Sequence, residues 1–235
     1  PVVVLTHGLD VTWNFWFYQL IVPRCLARAS RVFCVSRYTA GECLKRRVPQ
    51  EKLVVIPNGI DPKEFSLEQS KQELRKSLSN VLQINLQNIE ILLSVGRLIK
   101  RKGFEWFISE VFVRLSQERK DILYLIAGEG PLRRRLQQLT RKNNLKKRVF
   151  LLGKVNKEVL KLLYNASDVL IMPNIPVKGD GEGFGMVALE ASSVGTPVIA
   201  SNLEGIKDAV KKGKNGFLAE PLNSQAFINL IIKVL

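Results

Sequence analysis

Short runs of aliphatic and β-branched residues recur between segments of helical period, and this alternation constrains the fold more than any other feature of the chain. The runs are VVVL (2–5), VFCV (32–35), KLVVI (52–56), ILLSV (91–95), ILYLIA (122–127), VFLL (149–152), VLIM (169–172) and PVIA (197–200). Helical patterns lie between them at 13–29, 38–47, 103–117, 131–142, 156–165, 185–195, 204–211 and 223–235, with Pro131 and Asn156 as start signals. Strand-length apolar runs alternating with helices predict βαβ units, parallel sheets and an α/β class.

The segment IPNGIDPKEF, 56–65, is dense in turn residues and is followed by a polar helical stretch before the run at 91. Three strands precede it, too few for a free-standing doubly wound sheet, and five follow. The expected division is therefore 1–62, the C-terminal part of an N-terminal domain, and 63–235, a second α/β domain lacking its last helix or helices. The chain opens on Pro1 inside PVVVL and closes on Leu235 inside AFINLIIKVL, so a longer natural protein is expected.

No basic stretch with a small-residue cleavage site marks a signal peptide. The longest aromatic and apolar stretch, WNFWFYQLIV at 13–22, is ended by Pro23 and falls short of a membrane span of roughly 20 residues. Its aromatic side chains suit core, acceptor contact or an interfacial foot, with core favoured for part of them. Cys25, Cys34 and Cys43 are odd in number and lack CxxC spacing, which suits buried thiols in a reducing cytoplasm better than disulfides or zinc. The formal charge of +15 is scattered in short basic runs. No zinc-finger, KH or basic-zipper signature accompanies them, which argues against nucleic acid and leaves attraction to anionic lipid as the better use of the surplus.

In open parallel sheets ligands lie beyond the carboxyl ends of the strands, and the informative residues of this chain follow its strands. After 91–95 comes GRLIKRKGF, where Arg97 and Lys102 would neutralise a diphosphate or form a basic turn. After 122–127 comes GEGPLRRRL, with Gly128, Glu129 and Gly130; it is neither a Walker A loop nor a dinucleotide fingerprint, and reads first as a strand-to-helix turn. Gly153-Lys154-Val155 is a similar turn.

The strongest signal is PNIPVKGDGEGFG running into MVALEASSVG, with glycines at 179, 181, 183 and 185 that permit close backbone approach. A helix starting near Gly185 would point free N–H groups and its positive dipole end at an anion. Glu182 and Glu190 would flank one pocket. Glu190, among Ala188, Leu189, Ala191 and Val194, needs a partner: a vicinal diol such as a ribose, a structural Arg or a backbone cap.

EGFGMVALE (E-x7-E), with GRL-x3-KG, AGEGP, GTPVIAS, GKNGF and the linker IPNGID, resembles the GT-B glycosyltransferases, in particular the large retaining family 4, from THG at residue 6 to NGFLAEP at 221. The resemblance implies retaining transfer of a hexose-type sugar from a nucleotide diphosphate sugar to a glycan, glycolipid or lipid-linked acceptor. It implies a cleft between two Rossmann-like domains, donor-binding in the second, no metal or other cofactor, and a cytoplasmic enzyme of cell-envelope polysaccharide synthesis; the basic surplus would hold it peripherally at the inner face of an anionic membrane. By motif, Arg97 and Lys102 would bind the donor diphosphate and Glu182 the sugar hydroxyls. Phe184, Gly185 and Met186 would support sugar and phosphate through their backbone, and Glu190 the ribose. Gly128, Glu129 and Gly130 would line the cleft, and Lys154 and Val155 would lie near the base. His7, the sole histidine, reads alone as a turn residue, and by resemblance as a group facing the sugar. Ser36-Arg37 would cap a helix or reach the cleft. The alternatives are a non-catalytic nucleotide-sugar-binding module and a GT-B epimerase or phosphorylase.

Overall fold

The computed structural model describes residues 1–13 and 15–235. It contains two parallel sheets. The first is built from β1 (Val3–Thr6), β2 (Arg31–Cys34) and β3 (Leu53–Val55), in the order β1-β2-β3. Between these strands run α1 (Leu9–Thr12), α2 (Trp16–Arg28) and α3 (Arg37–Lys45). After β3 the chain crosses to α4 (Lys71–Leu82), which begins in a capping box: Ser70 accepts from the Glu73 N–H while Glu73 reaches back to the Ser70 N–H.

The second sheet holds β4 (Glu90–Val95), β5 (Ile122–Ala127), β6 (Val149–Gly153), β7 (Val169–Met172), β8 (Val198–Ser201) and β9 (Gly216–Ala219). The helices of this part are α5 (Phe104–Trp106), α6 (Val113–Glu118), α7 (Arg133–Lys142), α8 (Lys157–Ala166), α9 (Met186–Ser193), α10 (Ile206–Ala209) and α11 (Ser224–Val234), with a π-helical segment, Phe107–Phe112, joining α5 to α6. The strand order is β6-β5-β4-β7-β8-β9, all parallel. Such a sheet is buried on both faces, which is why its strands read as continuous apolar runs. One face carries Leu93, Leu125, Leu170 and Ala200 with α4, α8 and α9; the other carries Leu92, Tyr124, Ile171 and Ile199 with the π-helical segment and α11. The strand order reverses between β4 and β7, so the crevice expected of a doubly wound sheet lies where the loops after these two strands meet.

Several sequence expectations need correction. Six strands, not five, follow the turn-rich segment, because GFLA (216–219) forms β9. In the sequence it reads as part of a loop motif, since Gly216 and the turn residues before it mask the strand pattern. The helix expected at 13–29 is α2, with Pro23 inside it, and the short helix α1 precedes it at Leu9–Thr12, where none was expected. Pro131 does not open α7, which starts at Arg133. The aromatic run contributes little core: Trp13, Phe15, Trp16 and Phe17 are exposed and Tyr18 is half-buried. Cys34 and Cys43 are buried free thiols, but Cys25 is exposed. Among the described residues no helix is long and apolar enough to cross a membrane.

Candidate functional site

Close packing of loop on loop builds the site. Gly103, at the end of the loop after β4, lies so near the loop after β7 that a Cβ there would stand 1.8 Å from the Pro173 carbonyl oxygen. Gly181 and Gly183 face the first sheet. A Cβ on Gly181 would fall 2.1 Å from the Tyr38 hydroxyl, and one on Gly183 would fall 1.9 Å from the His7 carbonyl oxygen. These glycines therefore admit neighbouring protein, whereas they were expected to admit a ligand. Gly185 differs: with φ of 96° it caps α9, and among the described residues no side chain bonds the first N–H groups of that helix. Those donors, at the positive end of the helix, remain available to an anion.

The Glu182 carboxylate is the centre of the polar network. Lys102 Nζ donates to its Oε2 at 2.6 Å and Asn174 Nδ2 donates to the same oxygen at 3.1 Å. Arg101 Nε lies 3.6 Å away, while its guanidinium donates to Asp180 Oδ1 at 2.9 Å. Both ends of the Lys102–Glu182 pair are sequestered, with side-chain exposures of 12% and 13%. Burial pushes the Glu182 carboxyl up, but Lys102, Arg101 and the Asn174 hydrogen bond together outweigh it and hold the group below its ordinary value. Next to it, Glu204 accepts the Glu182 backbone N–H. Burial and the neighbouring Glu182 charge push the Glu204 carboxyl up.

Of the residues singled out in the sequence, Lys102 and Glu182 are thus in direct contact, supplied by the two loops that flank the switch point. Arg97 is exposed one residue past Gly96, in the same loop as Lys102. His7 is exposed at the end of β1; its backbone N–H donates to Asp10, and its carbonyl abuts the Glu182 loop. Glu190 does not share the Glu182 network. Its Oε2 accepts from the buried Tyr164 hydroxyl at 2.6 Å, a partner that was neither the Arg nor the cap considered from the sequence. Phe184 is buried and Met186 half-buried around the Gly185 cap. The Gly128 N–H donates to the Gly153 carbonyl at 2.8 Å, and Glu129 pairs with Arg133 at 3.0 Å. A Cβ on Gly130 would stand 2.6 Å from the Leu98 carbonyl oxygen, so this turn is packed against the loop of Arg97. Lys154 is exposed and Val155 half-buried beside that turn.

Sequence reasoning missed Arg101, Asn174, Asp180 and Glu204. Arg101 lay in view inside the run KRK, and Asn174 lies two residues past β7; nothing local marks Glu204. It also left open what Arg37 does. Ser36 caps α3 by accepting from Thr39 N–H at 3.0 Å, and Arg37 crosses to α10, where its backbone N–H and its Nε each donate to Asp208 at 2.6 Å. The capping reading of Ser36 is the one observed, and Arg37 is engaged by Asp208. Tyr38, on the same helix, is pushed up to about 12 by burial and by the nearby Glu204 charge.

Residues 83–235 match the family described as glycosyl transferases group 1, and residues 1–64 match glycosyltransferase family 4. An uncharacterized glycosyltransferase of Methanocaldococcus jannaschii is 36% identical over 198 residues, covering 82% of this chain and 47% of the relative. The UDP-Gal:alpha-D-GlcNAc-diphosphoundecaprenol alpha-1,3-galactosyltransferase of Escherichia coli is 31% identical over 232 residues, covering 97% of this chain and 56% of the relative. The chain spans about half the length of these relatives. Among solved structures, Anabaena Alr3699/HepE in complex with UDP superposes with a TM-score of 0.83 at 25% identity, over 99% of this chain and 62% of that one. Sucrose-phosphate synthase from Thermosynechococcus elongatus superposes with a TM-score of 0.79 at 26% identity, over 99% and 58%.

Proposed function

The chain belongs to the glycosyl transferases group 1 family and has the GT-B α/β architecture, and from that premise we propose that it carries the donor side of a retaining sugar transfer. The donor is a nucleotide diphosphate sugar and the acceptor a hydroxyl of a glycan, glycolipid or lipid-linked saccharide. The observation that carries this reading is the contact of Lys102 with Glu182 at the switch point of the sheet, in the loop that leads into the N-terminus of α9. Anion, polyol and leaving group find complementary partners there within one crevice.

In this reading Arg97, Lys102 and the α9 N–H groups take the diphosphate, and Glu182 accepts hydrogen bonds from sugar hydroxyls. The Lys102–Glu182 pair is what the donor must open: phosphate oxygens replace the carboxylate around Lys102, and hydroxyl donors replace the ammonium around Glu182. Exchanging one satisfied set for another avoids leaving either charge bare in a buried site. The acceptor oxygen then bonds to the anomeric carbon as the carbon–oxygen bond to the diphosphate breaks. The acceptor proton passes to the departing phosphate oxygen on the same face, which preserves configuration, and the cations stabilise the charge that grows on that oxygen. Two side-chain cations and a helix terminus supply this stabilisation without a divalent metal. His7 faces the sugar from the first sheet, Glu190 holds the ribose, and the turns at Gly128–Gly130 and Lys154–Val155 border the nucleotide.

Exposed Trp13, Phe15, Trp16 and Phe17, together with the net charge of +15, support peripheral contact with an anionic membrane at its cytoplasmic face. The donor reading is tested by a thermal-shift panel of UDP-, GDP- and ADP-glucose, followed by transfer assays on the full chain. At least one nucleotide sugar should stabilise the protein, and Arg97→Ala or Lys102→Ala should abolish most turnover. Wild-type turnover in either variant would remove the leaving-group assignment.

A further inference from the structure

The loop after β8, Asn202 to Gly205, grips the backbone of Glu182 from two sides. The Glu204 carboxylate accepts the Glu182 N–H, and the Gly205 N–H donates to the Glu182 carbonyl at 3.1 Å. The seat is tight, since a Cβ on Gly205 would stand 1.9 Å from the Gly183 carbonyl oxygen. Glu204 adopts φ of 48°, a left-handed conformation that disfavours side chains with a Cβ and that glycine takes freely. Its environment is also unfavourable for a carboxylate. Burial raises its pKa, and both Glu182 and Asp180 push in the same direction, while its own hydrogen bond to Glu182 N–H and the Arg101 charge only partly offset them. Among the described residues it forms no ion pair of its own within 4.0 Å, whereas Glu182 takes Lys102 and Arg101.

A residue strained in its backbone and crowded by like charge lowers stability, so a purely structural role would be better filled by glycine. Strain of this kind persists where the surrounding structure holds it, and it collects at functional sites. Among the described residues, the one hydrogen bond that the glutamate side chain supplies and a glycine could not is the acceptor for the Glu182 amide. We infer that Glu204 is a positioning residue for sugar transfer: by holding the backbone of Glu182, it sets where the Glu182 carboxylate meets the donor sugar. The inference rests on the sugar-binding role proposed for Glu182 above.

The test uses the full chain, with Glu204→Gly and Glu204→Gln, and as probes UDP and whichever of UDP-, GDP- and ADP-glucose the wild type turns over. Glycine suits the backbone angle, so the unfolding midpoint of Glu204→Gly should be unchanged or raised. A small misplacement of a group at the reacting sugar costs between about tenfold and a hundredfold in rate, and kcat should fall by that factor. Affinity for the free nucleotide should stay within about twofold, because on this reading the diphosphate is held by Arg97 and Lys102. Glu204→Gln keeps an oxygen that can accept the Glu182 N–H and should recover most of the rate. An unchanged kcat in Glu204→Gly would overturn the inference, as would a loss that glutamine does not rescue, or one matched by an equal loss of nucleotide affinity. If the wild type turned over none of the donors, the glycosyl-transfer reading would fall and this inference with it; normal wild-type turnover with a defect in Lys102→Ala and none in Glu204→Gly would reject only Glu204.

Discussion

Replacing Tyr164 by phenylalanine isolates one hydrogen bond in the core beneath the site. The ring is fully buried and packs edge-on against Phe65 at a centroid distance of 5.6 Å, and its backbone carbonyl accepts from Thr196 Oγ1 at 2.6 Å. Phenylalanine keeps all of that packing and loses only the hydroxyl, which donates to Glu190 Oε2 at 2.6 Å. A hydrogen bond to a charged acceptor contributes about 1.5–3 kcal/mol, and the half-buried Glu190 has no other side-chain partner among the described residues. For a chain of this size each kcal/mol moves the midpoint by about 2–4 °C, so Tyr164→Phe should lower it by roughly 3–12 °C in differential scanning calorimetry. Burial and the Glu190 charge push the Tyr164 hydroxyl up, so it stays protonated and donating across the neutral range. The same variant probes the ribose assignment. With Oε2 released, Glu190 loses orientation but keeps its charge, and nucleotide affinity should fall less than in Glu190→Ala. A midpoint shift under about 1 °C would refute the reasoning, because it would mean that water replaces the hydroxyl without cost.

Other substitutions separate the contributions of the loops. Gly183→Ala should destabilise by about 1–3 kcal/mol in urea unfolding, since its Cβ would overlap the His7 carbonyl and push the first sheet off the Glu182 loop. Arg37→Ala should cost under about 1 kcal/mol, because the arginine end of its pair with Asp208 is 72% exposed. Asp208→Ala should cost more, about 1–3 kcal/mol, since it also strips the acceptor from the Arg37 backbone N–H. Comparison of the two by chemical denaturation checks the ordering. Glu182→Gln should change the pH dependence of stability. The folded pKa of Glu182 lies below its unfolded value, so its contribution is present above the ordinary carboxylate range and is lost as pH falls through the depressed folded value. The stability gap between wild type and Glu182→Gln should therefore be larger at pH 7 than at pH 3; a constant gap would count against the Lys102 and Arg101 stabilisation.

Much of the fold was legible because a parallel sheet covered on both faces writes itself as uniform apolar runs, as ILYLIA does at β5, where every residue is buried. β9 escaped notice because GFLA begins with Gly216 and follows directly on the turn-forming residues GKN, so it reads as the end of a loop. The aromatic run at 13–18 misled for the opposite reason: hydrophobic composition alone does not say which side of a helix meets protein, and here most of those rings face outward.

The motif order along the chain was enough to identify the family and the α/β architecture, because loop chemistry after each strand is local and strand order in such sheets is restricted. Which side chains touch was a different matter. Lys102 and Glu182 are eighty positions apart and meet at 2.6 Å only because β4 and β7 are neighbours in the sheet. Glu190, an obvious carboxylate in search of a partner, found Tyr164 on α8, and Glu204 reached Glu182 from a loop with no motif of its own. Hydrogen bonds and ion pairs depend on ångström-scale approach between segments remote in sequence. Periodicity and spacing fix the segments; tertiary packing alone decides which charges end up paired.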